Sequence, residues 1–136
     1  MPPVLDRENY QLLIKEKKDF IVCIHGNKKE DLFKDIFGRY ASNILVLVCR
    51  SEKYPELVRS LKIITLPAIL FFSEGRLMDK LTDLENKEKV FERIEGFIRY
   101  RSFRDKFLLE KAVFQRNSKR IKEFLEELYH KEVGYG

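Results

Sequence analysis

Three short apolar runs, at residues 20–24, 44–49 and 68–72, constrain this chain more than any other feature. Each is rich in Ile, Val, Leu or Phe and reads as a strand, the first of them as one covered on both faces. The segments between them carry apolar residues at helical spacing. Tyr10, Leu13 and Ile14 mark a helix over 9–17, and Leu32, Phe33, Ile36, Phe37 and Tyr40 mark one over 30–40. Glu30 and Asp31 suit the positive end of that second helix. Tyr54, Leu57, Val58 and Leu61 give a third helix, with Ser51 as its cap and Pro55 in its first turn. Ser73-Glu74-Gly75 is a turn short enough to make residues 76–81 the return strand of a hairpin. Val90, Phe91, Ile94, Phe97 and Ile98 mark a longer helix over 83–100. The order α-β-α-β-α-β-β-α, with the first two strands joined through a helix, predicts an α/β fold: a mixed four-stranded sheet flanked by helices.

Beyond residue 100 the spacing predicts a C-terminal two-helix extension. Phe103, Phe107, Leu108, Val113 and Phe114 mark the first helix; Ile121, Phe124, Leu125 and Leu128 mark the second, with Asn117 or Ser118 as its cap. The domain division is therefore 1–100 and 101–136. Phe103, Phe107, Phe114, Ile121, Phe124, Leu125 and Leu128 are too many large apolar groups to leave in water, each worth roughly 1.5–3 kcal/mol when buried. They are expected to pack on their own domain or on a second copy, as a homodimer.

The balance of 44% hydrophobic and 36% charged residues, with mean hydropathy −0.37, is that of a globular chain and not of a disordered one. The longest apolar runs, 44–49 and 63–72, fall far short of the ~20 residues of a membrane span. The opening Met1-Pro2-Pro3-Val4-Leu5-Asp6-Arg7 has no basic segment followed by an apolar one, so a cytoplasmic location is expected. Gln occurs only at 11 and 115 while Lys, Glu, Arg and Ile abound, a bias reported for thermophile proteins. A thermophile source predicts a melting temperature above about 60 °C.

Net charge is +5, and its distribution matters more than its sum. Residues 99–122 hold nine basic residues against Asp105 and Glu110, a net +7, so the rest of the chain is net −2. A solvated basic face over an apolar packing face explains this stretch. The alternative is an anionic partner, nucleic acid above all. Arg116, Lys119 and Arg120 cluster at the expected start of the last helix, where cations oppose the dipole and a bound phosphate resolves the conflict.

Ile63-Ile64-Thr65-Leu66-Pro67-Ala68-Ile69-Leu70-Phe71-Phe72-Ser73-Glu74-Gly75, taken with the element order, resembles the second half of a thioredoxin. Pro67, Ala68, Phe72 and Gly75 match that family in spacing. The resemblance covers residues 9 to about 100 and implies a thioredoxin-like fold with Pro67 as a cis-proline. It also implies a Cys-x-x-Cys pair just after the first central strand, at a helix start that lowers the attacking thiol's pKa. Here that stretch is His25-Gly26-Asn27-Lys28-Lys29-Glu30-Asp31-Leu32, without cysteine. Dithiol exchange needs both sulfurs. The resemblance therefore points to a redox-inactive relative, not an enzyme, whose work is protein interaction or scaffolding.

Cys23 and Cys49 are the two cysteines. Cys23 sits mid-strand, as a small buried hydrophobe does. Cys49 ends the second strand, His25 ends the first on the same edge, and Pro67 approaches that edge. Ligands bind at the carboxyl ends of strands in open α/β sheets. Core cysteine and solvated histidine account for both residues; a Cys49 thiolate assisted by His25, in a single-cysteine redox protein, is the alternative. A Cys23–Cys49 disulfide is not expected from two mid-sheet positions. The Gly26-Asn27-Lys28-Lys29 loop lacks the glycine spacing of a phosphate-binding turn. Glu30, Asp31 and Asp35 are helix neighbours and imply no acid–base pair. With two His and no zinc-type Cys spacing, no metal and no cofactor are expected.

Overall fold

The computed structural model describes the backbone of residues 2–28 and 30–133, and the side chains of 2–28, 30–109, 123 and 126. The elements run α1 (Arg7–Lys15), β1 (Phe20–His25), α2 (Asp31–Tyr40), β2 (Leu45–Arg50), α3 (Pro55–Ser60), β3 (Ala68–Ser73), β4 (Arg76–Leu81) and α4 (Lys87–Val133). They form two units, residues 1–98 and 99–136.

The first unit is the mixed sheet that the strand order predicts. Its strands lie in the order β2-β1-β3-β4. β1 runs parallel to β2 and antiparallel to β3, and β4 closes the hairpin. β1 and β3 occupy the centre, and five of the six residues of each are buried, which is why both read as unbroken apolar runs. β4, at the edge, alternates between exposed and half-buried. Side chains alternate across the sheet and feed two cores. Ile21, Cys23, Ile69 and Phe71 face α2 and the first turns of α4, meeting Phe33, Ile36, Ile94 and Phe97. Phe20, Val22, Ile24, Cys49 and Phe72 face α1 and α3, meeting Leu5, Tyr54 and Leu57. The Phe20 and Phe72 rings stack at 4.4 Å and 6°.

Local chemistry explains the element ends. Asp6 caps α1, accepting from the Asn9 N–H at 2.8 Å, while the Asn9 side chain accepts from the Asp6 N–H. This reciprocal cap starts α1 two residues earlier than the apolar spacing suggests. Ser51 opens a separate 3-10 turn, Ser51–Lys53, and Pro55 starts α3 with Tyr54 before it. Glu74 and Gly75 both take positive φ, +52° and +76°, the two-residue turn whose twist matches a hairpin.

The second unit corrects the expected tail. The backbone is one continuous helix from Lys87 to Val133, not two helices. Asn117 and Ser118 lie inside it and not at a helix start. Cap residues start a helix only where something has ended the one before. Residues 97–133 contain neither Gly nor Pro, and Asn and Ser cost a helix interior well under ~1 kcal/mol each. Phe103 and Phe107, expected to be covered, are 70% and 54% exposed in the single chain. The side chains of Phe114, Ile121, Phe124, Leu125 and Leu128 lie outside the described residues.

Candidate functional site

The carboxyl ends of β1 and β2 and the start of β3 meet at one edge of the sheet, because β3 runs opposite to the other two. Register fixes the neighbours. Ile24 pairs with Cys49 on one side and with Ala68 on the other, and His25 pairs with Arg50. The Leu66–Pro67 peptide, immediately before Ala68, is cis.

Cys49 and His25 share this edge but not a face. Cys49 lies in register with Ile24, and both point into the core under α1 and α3. His25 is the next residue along β1, so its side chain takes the opposite face. There its ring lies 6.4 Å from that of Phe33, and Nδ1 is 2.8 Å from the Gly26 carbonyl oxygen. The sheet backbone separates imidazole from thiol, so His25 is not placed to act as a base for Cys49. The Cys49 sulfur instead lies 3.6 Å from the Arg50 carbonyl oxygen, is 1% exposed, and has its pKa pushed up to about 11 by burial. A reactive cysteine requires the opposite shift.

Cys23 is fully buried, and burial raises its pKa further still. It pairs with Val48 and belongs to the core on the α2 side. The two cysteines therefore lie on opposite faces of the sheet, and both are free thiols. The strand-to-helix loop between β1 and α2 carries no sulfur. Gly26 is half-buried, Asn27 and Lys28 are exposed, and Glu30 precedes α2 without a side-chain cap bond.

The same edge presents apolar surface. Ile64 is 95% exposed and Leu66 is exposed, both just before the cis-proline. The side chains of Arg116, Lys119 and Arg120 lie outside the described residues. The backbone there is mid-helix, so its N–H groups are committed to the helix ladder. Continuous helix stands where a helix start with free N–H groups for a phosphate was expected. Among the described residues no group of three or more His, Cys, Asp or Glu is placed to hold a metal ion. No described helix is long and apolar enough to cross a membrane.

Known structures share this architecture. A thioredoxin of Entamoeba histolytica superposes with a TM-score of 0.60 over 71% of this chain and 99% of its own, at 12% identity. A poplar thioredoxin h gives 0.59 over 71% and 95%, at 17% identity. The germline-specific thioredoxin Deadhead of Drosophila gives 0.58 over 71% and 98%, at 18% identity. The chain thus has a thioredoxin-like fold. In sequence, a putative thioredoxin H10 of Arabidopsis thaliana is 35% identical over 66 residues, 48% of this chain and 42% of that protein. The match thus spans less than half of that relative's length. No family model matches the sequence.

Proposed function

We propose that this protein is a thioredoxin-fold interaction module that does not carry out dithiol exchange. One observation carries the reading: both sulfurs are buried, and they lie on opposite faces of the central sheet. Dithiol exchange needs a thiolate that can attack and a second thiol that can reach the mixed disulfide. Cys49 is shielded and its thiol is held protonated, while Cys23 is on the other side of the sheet. The single-cysteine alternative needs a base near Cys49, and His25 is on the wrong face. The surface this reading assigns to a partner is the strand edge, where Ile64 and Leu66 are exposed just before Pro67 and Asn27 and Lys28 are exposed in the β1–α2 loop.

Insulin reduction with dithiothreitol as electron source tests the proposal. The expected rate is that of the uncatalysed background. Turnover above it that Cys49→Ser abolishes would overturn the reading and make Cys49 a nucleophile.

A further inference from the structure

Residues 100–128 carry a strict seven-residue apolar period. Tyr100, Phe107, Phe114, Ile121 and Leu128 stand seven apart, and Phe103 and Phe124 stand three after the first and fourth of them. The helical backbone is unbroken through all of these positions. A straight helix drifts ~20° per heptad, so a stripe held at seven residues over four repeats stays on one line only when wound against another helix. The described members of the stripe, Tyr100, Phe103 and Phe107, are exposed in the single chain.

Charge identifies what covers them. Residues 99–108 hold Arg99, Arg101, Arg104 and Lys106 against Asp105, a net +3. Residues 123–133 hold Glu123, Glu126, Glu127 and Glu132 against Lys131, a net −3. Glu123 and Glu126 are exposed. The two ends of the helix are therefore complementary to each other and not to themselves. We propose that a second copy of this chain covers the stripe, with the two helices antiparallel. In this pairing Phe107 of one copy faces Phe124 of the other, and Phe103 faces Leu128. Each basic end then lies along an acidic end, with Lys106 beside Glu127. A parallel pair sets +3 on +3, with Lys106 against Lys111 and Glu127 against Glu132. Like charges across a coiled-coil seam select against that arrangement.

The full chain tests this by light scattering after gel filtration, which should give twice 16.3 kDa. Mixing isotopically light and heavy chains and cross-linking with a carbodiimide should join Lys106 to Glu127 between chains. These residues stand 21 apart, about 31 Å along one helix, so no single helix can make the bond. Phe107→Glu with Ile121→Glu should give a monomer. Glu123→Lys, Glu126→Lys and Glu127→Lys together should weaken the dimer by about tenfold or more. Adding Arg101→Glu, Arg104→Glu and Lys106→Glu to the same chain should restore it, because an antiparallel pair is again complementary. Several outcomes overturn the proposal: a monomer across micromolar concentrations, a dimer indifferent to Phe107→Glu, or cross-links joining like ends. A chain that gains mass only on anionic vesicles or nucleic acid overturns it as well.

Discussion

His25 and Cys49 end neighbouring parallel strands and point to opposite faces of the sheet, because Cys49 is in register with Ile24 and not with His25. No proton can pass directly between imidazole and thiol through a sheet. Native-state labelling of Cys49 by a disulfide reagent should therefore be at least about a hundredfold slower than in the unfolded chain, since burial removes both access and thiolate. His25→Ala should leave the native rate unchanged within about twofold. A rate that falls with His25→Ala, and falls most near neutral pH, would show that the ring reaches the thiol.

The same burial makes stability depend on alkaline pH. A thiol ordinarily titrates at 9.0; in the folded chain Cys49 is pushed up to about 11 and Cys23 higher still, both by burial. The folded state holds these protons after the unfolded chain has released them. Stability is then full below about pH 9 and falls as pH rises from 9 through the folded value near 11. Burial also raises Tyr10, Tyr40 and Tyr54, which adds to the loss in the same direction. Urea midpoints measured from pH 7 to 10.5 should fall above 9. Cys23→Ala with Cys49→Ala should flatten that fall, despite starting from a lower midpoint. An unchanged slope in the double variant would remove the thiols as its cause.

The sheet was legible in the sequence because β1 and β3 are buried on both faces, and an unbroken apolar run of five or six residues has few other places to go. The site was legible only in outline. Strand order and direction brought Cys49, His25 and Pro67 to one edge, but the face each occupies turns on register, where one residue of slip inverts every side chain. Nothing in the spacing of 20–24 and 44–49 settles whether Cys49 stands opposite Ile24 or His25. The tail failed for a different reason. Asn117 and Ser118 carry the chemistry of a cap, yet a cap signal competes with helix propagation, and no helix breaker stands within twenty residues before it to tip the balance.

Phe72 anchors the core under α1. It is 1% exposed, stacks on Phe20 and meets the Tyr10 ring edge-on at 5.9 Å. Phe72→Ala should cost about 3–5 kcal/mol, the transfer free energy of the ring together with the cavity left between two aromatic neighbours. Phe103→Ala removes an equally large ring from an exposed position on the helix. In the residue 1–98 unit it should change stability by less than about 0.5 kcal/mol. Denaturant unfolding of the sheet unit, followed by tyrosine fluorescence, separates the two. Equal losses would mean that the Phe72 side chain is not the buried anchor of this core.

Gly75 is fixed by two constraints at once. Its φ of +76° lies in the left-handed region, and a Cβ there would stand 2.7 Å from the Ile14 carbonyl oxygen and 3.2 Å from the Lys17 Cα. The atoms in the way are backbone at the end of α1, and they cannot swing aside as a side chain would. The Gly75 N–H also donates to the Lys18 carbonyl oxygen at 2.8 Å, tying the β3–β4 turn to the chain entering β1. Gly75→Ala should therefore cost about 2–4 kcal/mol, the ~1–2 kcal/mol of a left-handed backbone with the clash against the end of α1 added to it. Glu74→Ala serves as the control. Residue 74 has φ +52° already with a Cβ, and its substitution should cost less than about 1 kcal/mol. Thermal melts of the two variants decide between the constraints. A Gly75→Ala loss no larger than that of Glu74→Ala would mean that the turn shifts freely and that α1 does not press against it.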